Sequence, residues 1–180
     1  TYYGDVSVVV PNLGWVQGMD WLLDGGLVIA SGADAALVRI DTPTGGRSLV
    51  ATDLSAYGVL VGPNGLVYAA DLSQVYRIDP ATGIKEVFVG ADAGFFPQSL
   101  NFSPDYTRFY VTSQSGWALW EMDLDANLER TSPKRQLADF GQSFRDGLAV
   151  DWCGNLYVPD YGTNNLYRIS PTGQVDTLVD

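Results

Sequence analysis

One short pattern occurs four times in the sequence and limits what the chain can fold into. In each copy, apolar and polar side chains alternate over about six positions, which is typical of a β-strand with one buried face. The copies follow one another at intervals of about forty residues, the spacing of an internal structural repeat. They lie at residues 36–41, 74–79, 118–123 and 165–170.

Each copy is preceded by two further strand patterns and followed by a fourth, with turns rich in Gly, Asn and Asp between them. These turn residues supply the positive φ angles that tight hairpins need. Each unit therefore predicts a four-stranded antiparallel meander, the sequence signature of a β-propeller blade. The alternative is a β-sandwich, which four repeats in phase disfavour. The fold class is predicted as all-β, with one propeller over residues 1–180 and blades at about 15–52, 55–90, 96–140 and 144–180.

Two segments do not fit a plain four-blade repeat. Residues 5–10 predict an outer strand of a preceding blade, and this strand is an orphan because the last repeat already has its own outer strand at 174–179. The chain is therefore expected to be part of a larger ring, with a second chain or a second copy as one way to complete it. A four-blade ring with one extra strand is the alternative. The third repeat carries a polar insertion at 125–133, predicted as an exposed loop.

Composition excludes several classes of function. The sequence has no histidine and one cysteine, so catalytic triads with histidine, histidine–metal sites and zinc–thiolate sites are excluded. The formal net charge of −11 disfavours nucleic acid and anionic membranes as partners, and no apolar stretch is long enough for membrane insertion. The acidic balance and the low lysine content favour an exported bacterial protein, in the periplasm, at the cell surface or outside the cell.

The repeat itself predicts a site. Gln17, Tyr57, Gln98 and Asp146 occupy the same register, each directly before a glycine or serine. Rotation about a propeller axis brings such positions together at one mouth of the central channel. Their oxygen atoms suit a hard cation such as Ca²⁺, and a single carboxylate predicts weak binding. The alternative is a channel that these side chains line and that holds only water.

The loops at the same mouth carry further candidates. Acidic and aromatic side chains here could form a pocket for a small molecule or a protein. The alternative is that the aromatic rings pack between neighbouring blades. The candidate pocket residues are Tyr57, Asp71, Asp160, Tyr161, Trp15, Phe96 and Phe144.

The last repeat, with residues 146–158, 160–162 and 166–169, resembles the SMP-30/gluconolactonase/LRE-like propellers, and NHL-repeat propellers are similar. The resemblance extends over the four blades and implies a ring of six, with about two blades missing. It also implies one divalent cation, often calcium, at the channel mouth, and hydrolysis of lactones or related esters. Asp146 matches the metal-binding aspartate and is thus the candidate catalytic residue. Gln98 stands where the family has asparagine, and the family's glutamate has no counterpart.

Two functions follow from these patterns. The first is a non-catalytic propeller that binds a partner or ligand, with a weak divalent-cation site formed by Asp146, Gln98 and Gln17. The alternative is a calcium-dependent hydrolase of the lactonase kind. A cation held by Asp146 and Gln98 would favour the hydrolase or a metal-dependent binder, and a channel closed by side chains would exclude the hydrolase.

Overall fold

The computed structural model describes residues 7–114, 118–141 and 146–179, and these residues form strands and turns. Sixteen strands make four sheets, each an antiparallel meander of four consecutive strands. The prediction of four four-stranded blades is confirmed. Blade 1 contains β1 Val16–Trp21, β2 Leu27–Ser31, β3 Ala36–Asp41 and β4 Gly46–Thr52; blade 2 contains β5 Ala56–Val61, β6 Val67–Asp71, β7 Gln74–Ile78 and β8 Lys85–Val89. Blade 3 contains β9 Pro97–Phe102, β10 Arg108–Ser113, β11 Ala118–Asp123 and β12 Arg135–Asp139; blade 4 contains β13 Ala149–Val150, β14 Leu156–Asp160, β15 Asn165–Ile169 and β16 Val175–Val179.

The first strand of each blade is its inner strand. Inner strands of neighbouring blades contact one another in the order β1, β5, β9, β13. The blades therefore follow each other in sequence order along one side of a shared channel. A ring of six blades remains a prediction. Among the described residues, no helix has the length and hydropathy that a membrane span requires.

The inner strand of blade 4 is shorter than the other three. It has two residues, whereas each of the others has six. Pro159 in β14 stands at the position that Ala30, Ala70 and Thr112 take in the other blades, opposite the mouth end of the inner strand. Proline has no N–H to donate to a neighbouring strand, which explains why the pairing stops early.

Apolar side chains pack between successive blades. The largest of these cores joins blades 2 and 3, and it contains an aromatic group made of Tyr68, Phe88, Phe102 and Phe109. Phe109 is fully buried, and its ring centroid lies 5.1–5.5 Å from those of the other three. Such edge-to-face and tilted contacts stabilise beyond the burial of apolar area.

The insertion in blade 3 closes this same interface. Leu128 is 5% exposed and belongs to the core between blades 2 and 3. Glu129 forms an ion pair with Arg77 of blade 2 at 2.8 Å, and Arg130 donates a hydrogen bond to the carbonyl of Phe88 at 2.9 Å. The prediction of an exposed loop is therefore wrong for this part of the insertion, because the segment folds back onto the neighbouring blade.

The leading segment lies where a preceding blade would place its outer strand. Residues 7–10 belong to no strand, and residues 5 and 6 of the predicted strand lie outside the described residues. The surroundings of two turn glycines, Gly45 and Gly83, nevertheless locate this segment relative to blade 1. A Cβ atom at Gly83 would lie 2.5 Å from the carbonyl oxygen of Val50 in the outer strand of blade 1, and one at Gly45 would lie 2.8 Å from that of Val9. Val9 thus has the position relative to blade 1 that Val50 has relative to blade 2.

Blade 1 has one face toward the leading segment, and the part of this face formed by the inner strand β1 is open to solvent. Met19 and Trp21 in β1 are 61% and 59% exposed, whereas Leu100 and Phe102, their counterparts in blade 3, are 7% and 6% exposed. Leu13 and Val10 of the leading segment cover only the part of the face built from β2 and β3. Blade 1 therefore presents an apolar sheet face of the kind that the other blades bury.

Candidate functional site

A repeated irregularity in the inner strands places the predicted site residues. In β1, Gln17 and Gly18 together stand opposite the single residue Ala30, which is the geometry of a β-bulge. The inner strands of blades 2 and 3 have the same bulge, at Tyr57–Gly58 and at Gln98–Ser99. A bulge changes the direction of the side chains at that point, so Gln17, Tyr57 and Gln98 share one local geometry, whereas Asp146 lies before the start of β13.

The residue after each site position sets the distance to the next blade. A Cβ atom at Gly18 would lie 2.5 Å from the carbonyl oxygen of Tyr57, and one at Gly58 would overlap the carbonyl oxygen of Gln98. In blade 3 the contact is a hydrogen bond, since the hydroxyl of Ser99 donates to the carbonyl of Asp146 at 3.0 Å. Each blade thus holds the site residue of the next one at close range.

These contacts bring the four predicted residues to one polar cavity of about 530 Å³, which is the channel mouth. Gln17 and Asp146 are exposed there, Tyr57 is half-buried, and Gln98 is 5% exposed. The ring of Tyr57 packs against Phe96, with 5.4 Å between centroids. The repeat therefore places all four side chains on one cavity, as the sequence predicts.

Two of the four side chains have unusual surroundings. The Nε2 atom of Gln98 is buried and makes no hydrogen bond to any residue that the structure describes. A buried amide without a partner costs free energy, so it marks a place where a water molecule or a ligand would bind favourably. The surrounding protein also raises the pKa of the Asp146 carboxyl above its ordinary value by desolvation, although the side chain is exposed at the mouth.

The donor atoms at the mouth fit a hard cation, but with low affinity. The side chains offer one carboxylate and two amide oxygens of the type that Ca²⁺ prefers, and Tyr57 adds a phenol hydroxyl. Calcium affinity rises with the number of charged ligands, and here there is one. Within the described ranges, no group of three or more His, Cys, Asp or Glu side chains could hold a metal ion. Water or a bound ligand would have to complete the coordination.

A second cavity adjoins the mouth. It lies between blades 1 and 2 and has a volume of about 240 Å³. Gln17 and Tyr57 line both cavities, so the two meet at these side chains. The rest of its wall is mainly apolar, with Leu54 buried at the base and Trp15 and Leu72 exposed at the rim.

The other predicted pocket residues have different surroundings. Asp160 is 1% exposed and accepts hydrogen bonds from the backbone N–H groups of Gly162 and Thr163, so it stabilises its own loop and does not face an open pocket. Asp71 is half-buried and accepts a hydrogen bond from the N–H of Ser55 at 3.0 Å. Both acids stand at the end of the second strand of a blade, where they hold the backbone that enters the inner strand or the next turn.

The aromatic candidates divide in a similar way. Trp15 is 74% exposed and lines the smaller cavity, and Tyr161 is 59% exposed. Phe96 is half-buried against Tyr57, in the role of packing between blades. Phe144 lies outside the described residues.

Two residues of the site were not found from the sequence. The sequence pattern shows Ser99 only as a variant at the glycine position of the repeat, and its hydrogen bond to the next blade depends on a distance that a sequence pattern does not contain. Leu72 lies in a two-residue turn between β6 and β7, where a leucine gives no signal of its own. Its exposure of 48% at a cavity rim is a property of the folded chain.

We expect Ser99→Ala to destabilise the protein by about 0.5–1.5 kcal/mol, because it removes the hydrogen bond between blades 3 and 4 and leaves the carbonyl of Asp146 without that donor. Urea denaturation followed by tryptophan fluorescence measures this change. Ser73→Ala, in an exposed turn, is the matched control and should change the free energy of unfolding by less than about 0.5 kcal/mol. Equal effects of the two substitutions would contradict the role given to Ser99.

Comparison with known proteins gives similar folds at low sequence identity. A gluconolactonase from Xanthomonas campestris has a TM-score of 0.76 and 19% identity, over 90% of this chain and 61% of the other. The calcium-binding protein regucalcin from Agrobacterium tumefaciens has a TM-score of 0.73 and 23% identity, over 88% and 58%. This chain therefore spans about three-fifths of the length of these structures.

A curated gluconolactonase from Zymomonas mobilis is 21% identical over 258 residues, which include 97% of this chain and 72% of that protein. Since the match extends over 258 residues and this chain has 180, close to 80 positions of the relative lie opposite gaps.

The four meanders arranged along a polar channel define a β-propeller with its candidate site at one mouth. The model of the SMP-30/gluconolactonase/LRE-like region matches residues 16–180, from the start of β1 to the end of the chain. The chain belongs to this family, and the resemblance inferred from the sequence is confirmed.

Proposed function

We propose that this propeller is a binding module that holds a divalent cation, Ca²⁺ by preference, weakly at the channel mouth and binds a ligand through it. The observation that supports this function is the convergence of Gln17, Tyr57, Gln98 and Asp146 on one cavity. The buried Nε2 of Gln98 has no partner among the described residues, and its N–H would donate to an oxygen atom of the ligand. Oxygen donors and a single carboxylate agree with weak calcium binding, with a dissociation constant in the range of about 10⁻⁴–10⁻³ M.

Thermal unfolding with and without calcium tests the proposal. At a calcium concentration ten times the dissociation constant, the native state should gain about 1.4 kcal/mol, which is visible as a rise in Tm. Asp146→Asn should abolish this rise, because it removes the one charged ligand. Asp53→Asn is the matched control, since Asp53 is exposed, lies away from the cavity and has a positive φ that asparagine tolerates. Sodium chloride at equal ionic strength separates binding from screening.

The proposal fails if calcium leaves the Tm of the wild type unchanged, or if both variants respond as the wild type does. The first result would mean that the polar mouth binds only water. The second would place any calcium site elsewhere on this acidic surface.

A second candidate function is calcium-dependent hydrolysis of lactones. Family membership and the similarity to gluconolactonases favour it. A bound cation would polarise the lactone carbonyl. Asp146 is the carboxylate that lines the mouth cavity and would hold this cation together with the amide oxygens of Gln98 and Gln17. Acid release from glucono-δ-lactone and from δ-decalactone, each with calcium or with EDTA, measures this activity, and its absence in all four conditions would leave the binding function alone.

A further inference from the structure

The cleft between blades 1 and 2 continues the channel mouth. Gln17 and Tyr57 are part of both walls, so a molecule whose polar group lies at Asp146 and Gln98 has a direct path past them into the cleft. The polar mouth and the apolar cleft therefore form one site with two different halves.

The walls of the cleft specify the chemistry of what enters it. Leu54 and Ala56 form apolar wall surface, and Trp15 and Leu72 extend this surface to the rim. The hydroxyl of Ser31, which also lines the cleft, already donates to the carbonyl of Leu13 at 3.0 Å. A hydroxyl-rich group placed against this apolar part of the wall would lose hydrogen bonds to water that Leu54, Leu72 and Trp15 do not replace, which is unfavourable. An apolar group would gain from burial.

The size of the cleft agrees with a small apolar group. Its volume of about 240 Å³ exceeds the roughly 150 Å³ of an engineered apolar cavity that binds benzene. One ring or one short alkyl chain therefore fits. The backbone at the rim is fixed, since the N–H of Gly32 donates to the carbonyl of Trp15 at 2.7 Å.

We propose that the cleft is a subsite for the apolar substituent of the ligand, so that the chain prefers lactones or esters with an alkyl or aryl group over hydroxylated sugar lactones. This inference rests on the proposed function for the polar half of the site, where the lactone carbonyl would bind. It assigns the specificity of the ligand to blades 1 and 2 and the polar contact to blades 3 and 4.

Three six-membered lactones separate the two halves in a binding experiment. δ-Valerolactone has the carbonyl alone, δ-decalactone adds a pentyl chain, and glucono-δ-lactone adds hydroxyls. Each is titrated, freshly dissolved, into the protein with calcium while tryptophan emission is recorded. δ-Decalactone should bind at least about tenfold more tightly than δ-valerolactone, since each buried CH₂ contributes to affinity. It should also shift the emission to the blue, because it covers Trp15.

Matched variants locate the effect. Leu72→Asp places a charge at the rim of the cleft and should reduce the affinity for δ-decalactone to that for δ-valerolactone. Leu23→Asp is the control, since Leu23 is 72% exposed outside both cavities. Trp15→Phe should remove the blue shift, whereas Trp152→Phe, at a residue that is 93% exposed in a distant turn, should leave it.

The outcomes distinguish the two proposals. The subsite is refuted if δ-decalactone and δ-valerolactone bind equally, if glucono-δ-lactone binds most tightly, or if Leu23→Asp and Leu72→Asp have the same effect. The cation site fails separately if calcium changes neither Tm nor lactone affinity. A preference for the pentyl chain that persists in EDTA and is lost in Leu72→Asp would support the subsite without the cation.

Discussion

Gly58→Ala is expected to destabilise the protein by roughly 3 kcal/mol, the upper end of what an inserted methyl group costs in a packed region. A Cβ atom at this position would overlap the carbonyl oxygen of Gln98 in the next blade. The obstacle is backbone and not the end of a flexible side chain, so β5 and β9 would have to move apart. Their separation would also disturb the channel mouth, because Tyr57 and Gln98 lie at this contact. Urea denaturation followed by fluorescence measures the loss.

Gly90→Ala is the matched control for this substitution. Nothing lies within 4 Å of a Cβ atom built at Gly90, and its φ is not in the left-handed region. The free energy of unfolding should therefore change by no more than about 0.5 kcal/mol. If the two alanine variants unfold at the same urea concentration as the wild type, the close approach of the inner strands does not determine the stability of the four blades.

The register of the inner strands is the part of the site that the sequence predicts best. One position of the repeat is occupied by Gln17, Tyr57, Gln98 and Asp146. Repeats that follow each other around an axis place equivalent positions at equivalent points around that axis. The glycines after Gln17 and Tyr57 repeat as well, since the blades approach most closely there. A repeat therefore contains information about three-dimensional neighbours that a single strand pattern lacks.

Other features depend on contacts between segments that the repeat does not relate. Leu128 lies in an insertion found in one blade, so no other copy indicates that it turns into the core. Asp160 is an acidic residue of the type expected in a pocket. The hydrogen bonds that it accepts from backbone N–H groups show in the folded chain that it stabilises a loop. The cleft beside the mouth is formed by the end of the leading segment and a turn of the next blade, which no periodicity brings together.

The leading segment bears on how much of the channel mouth these four blades form. Val9 lies beside Gly45 as Val50 lies beside Gly83, yet Met19 and Trp21 remain exposed where the inner strands of a preceding blade would cover them. We expect a ring of six blades, in which further inner strands would add their own residues to the channel mouth. The mouth carries little charge because four positions of the repeat contribute to it and one of them, Asp146, is acidic.

Phe109→Ala is expected to cost about 3–5 kcal/mol, the usual loss when a buried aromatic ring is replaced and a cavity remains. The ring belongs to blade 3, and two of its three aromatic neighbours, Tyr68 and Phe88, belong to blade 2. Both strands that carry these neighbours are anchored in their sheets, so the site cannot close around the lost volume. The substitution should weaken the interface between blades 2 and 3 and, with it, the contact of Gly58 with Gln98.

Trp152→Ala provides the comparison for this loss, because it removes a larger ring that is 93% exposed and packs against no core. It should change the free energy of unfolding by no more than about 0.5 kcal/mol. Phe109→Leu, which keeps most of the volume, should fall between the two. Equal urea midpoints for Phe109→Ala and Trp152→Ala would mean that the aromatic group between blades 2 and 3 does not hold them together. The ordered series would instead establish that the stability of the channel mouth depends on packing between the blades, well outside the residues that line it.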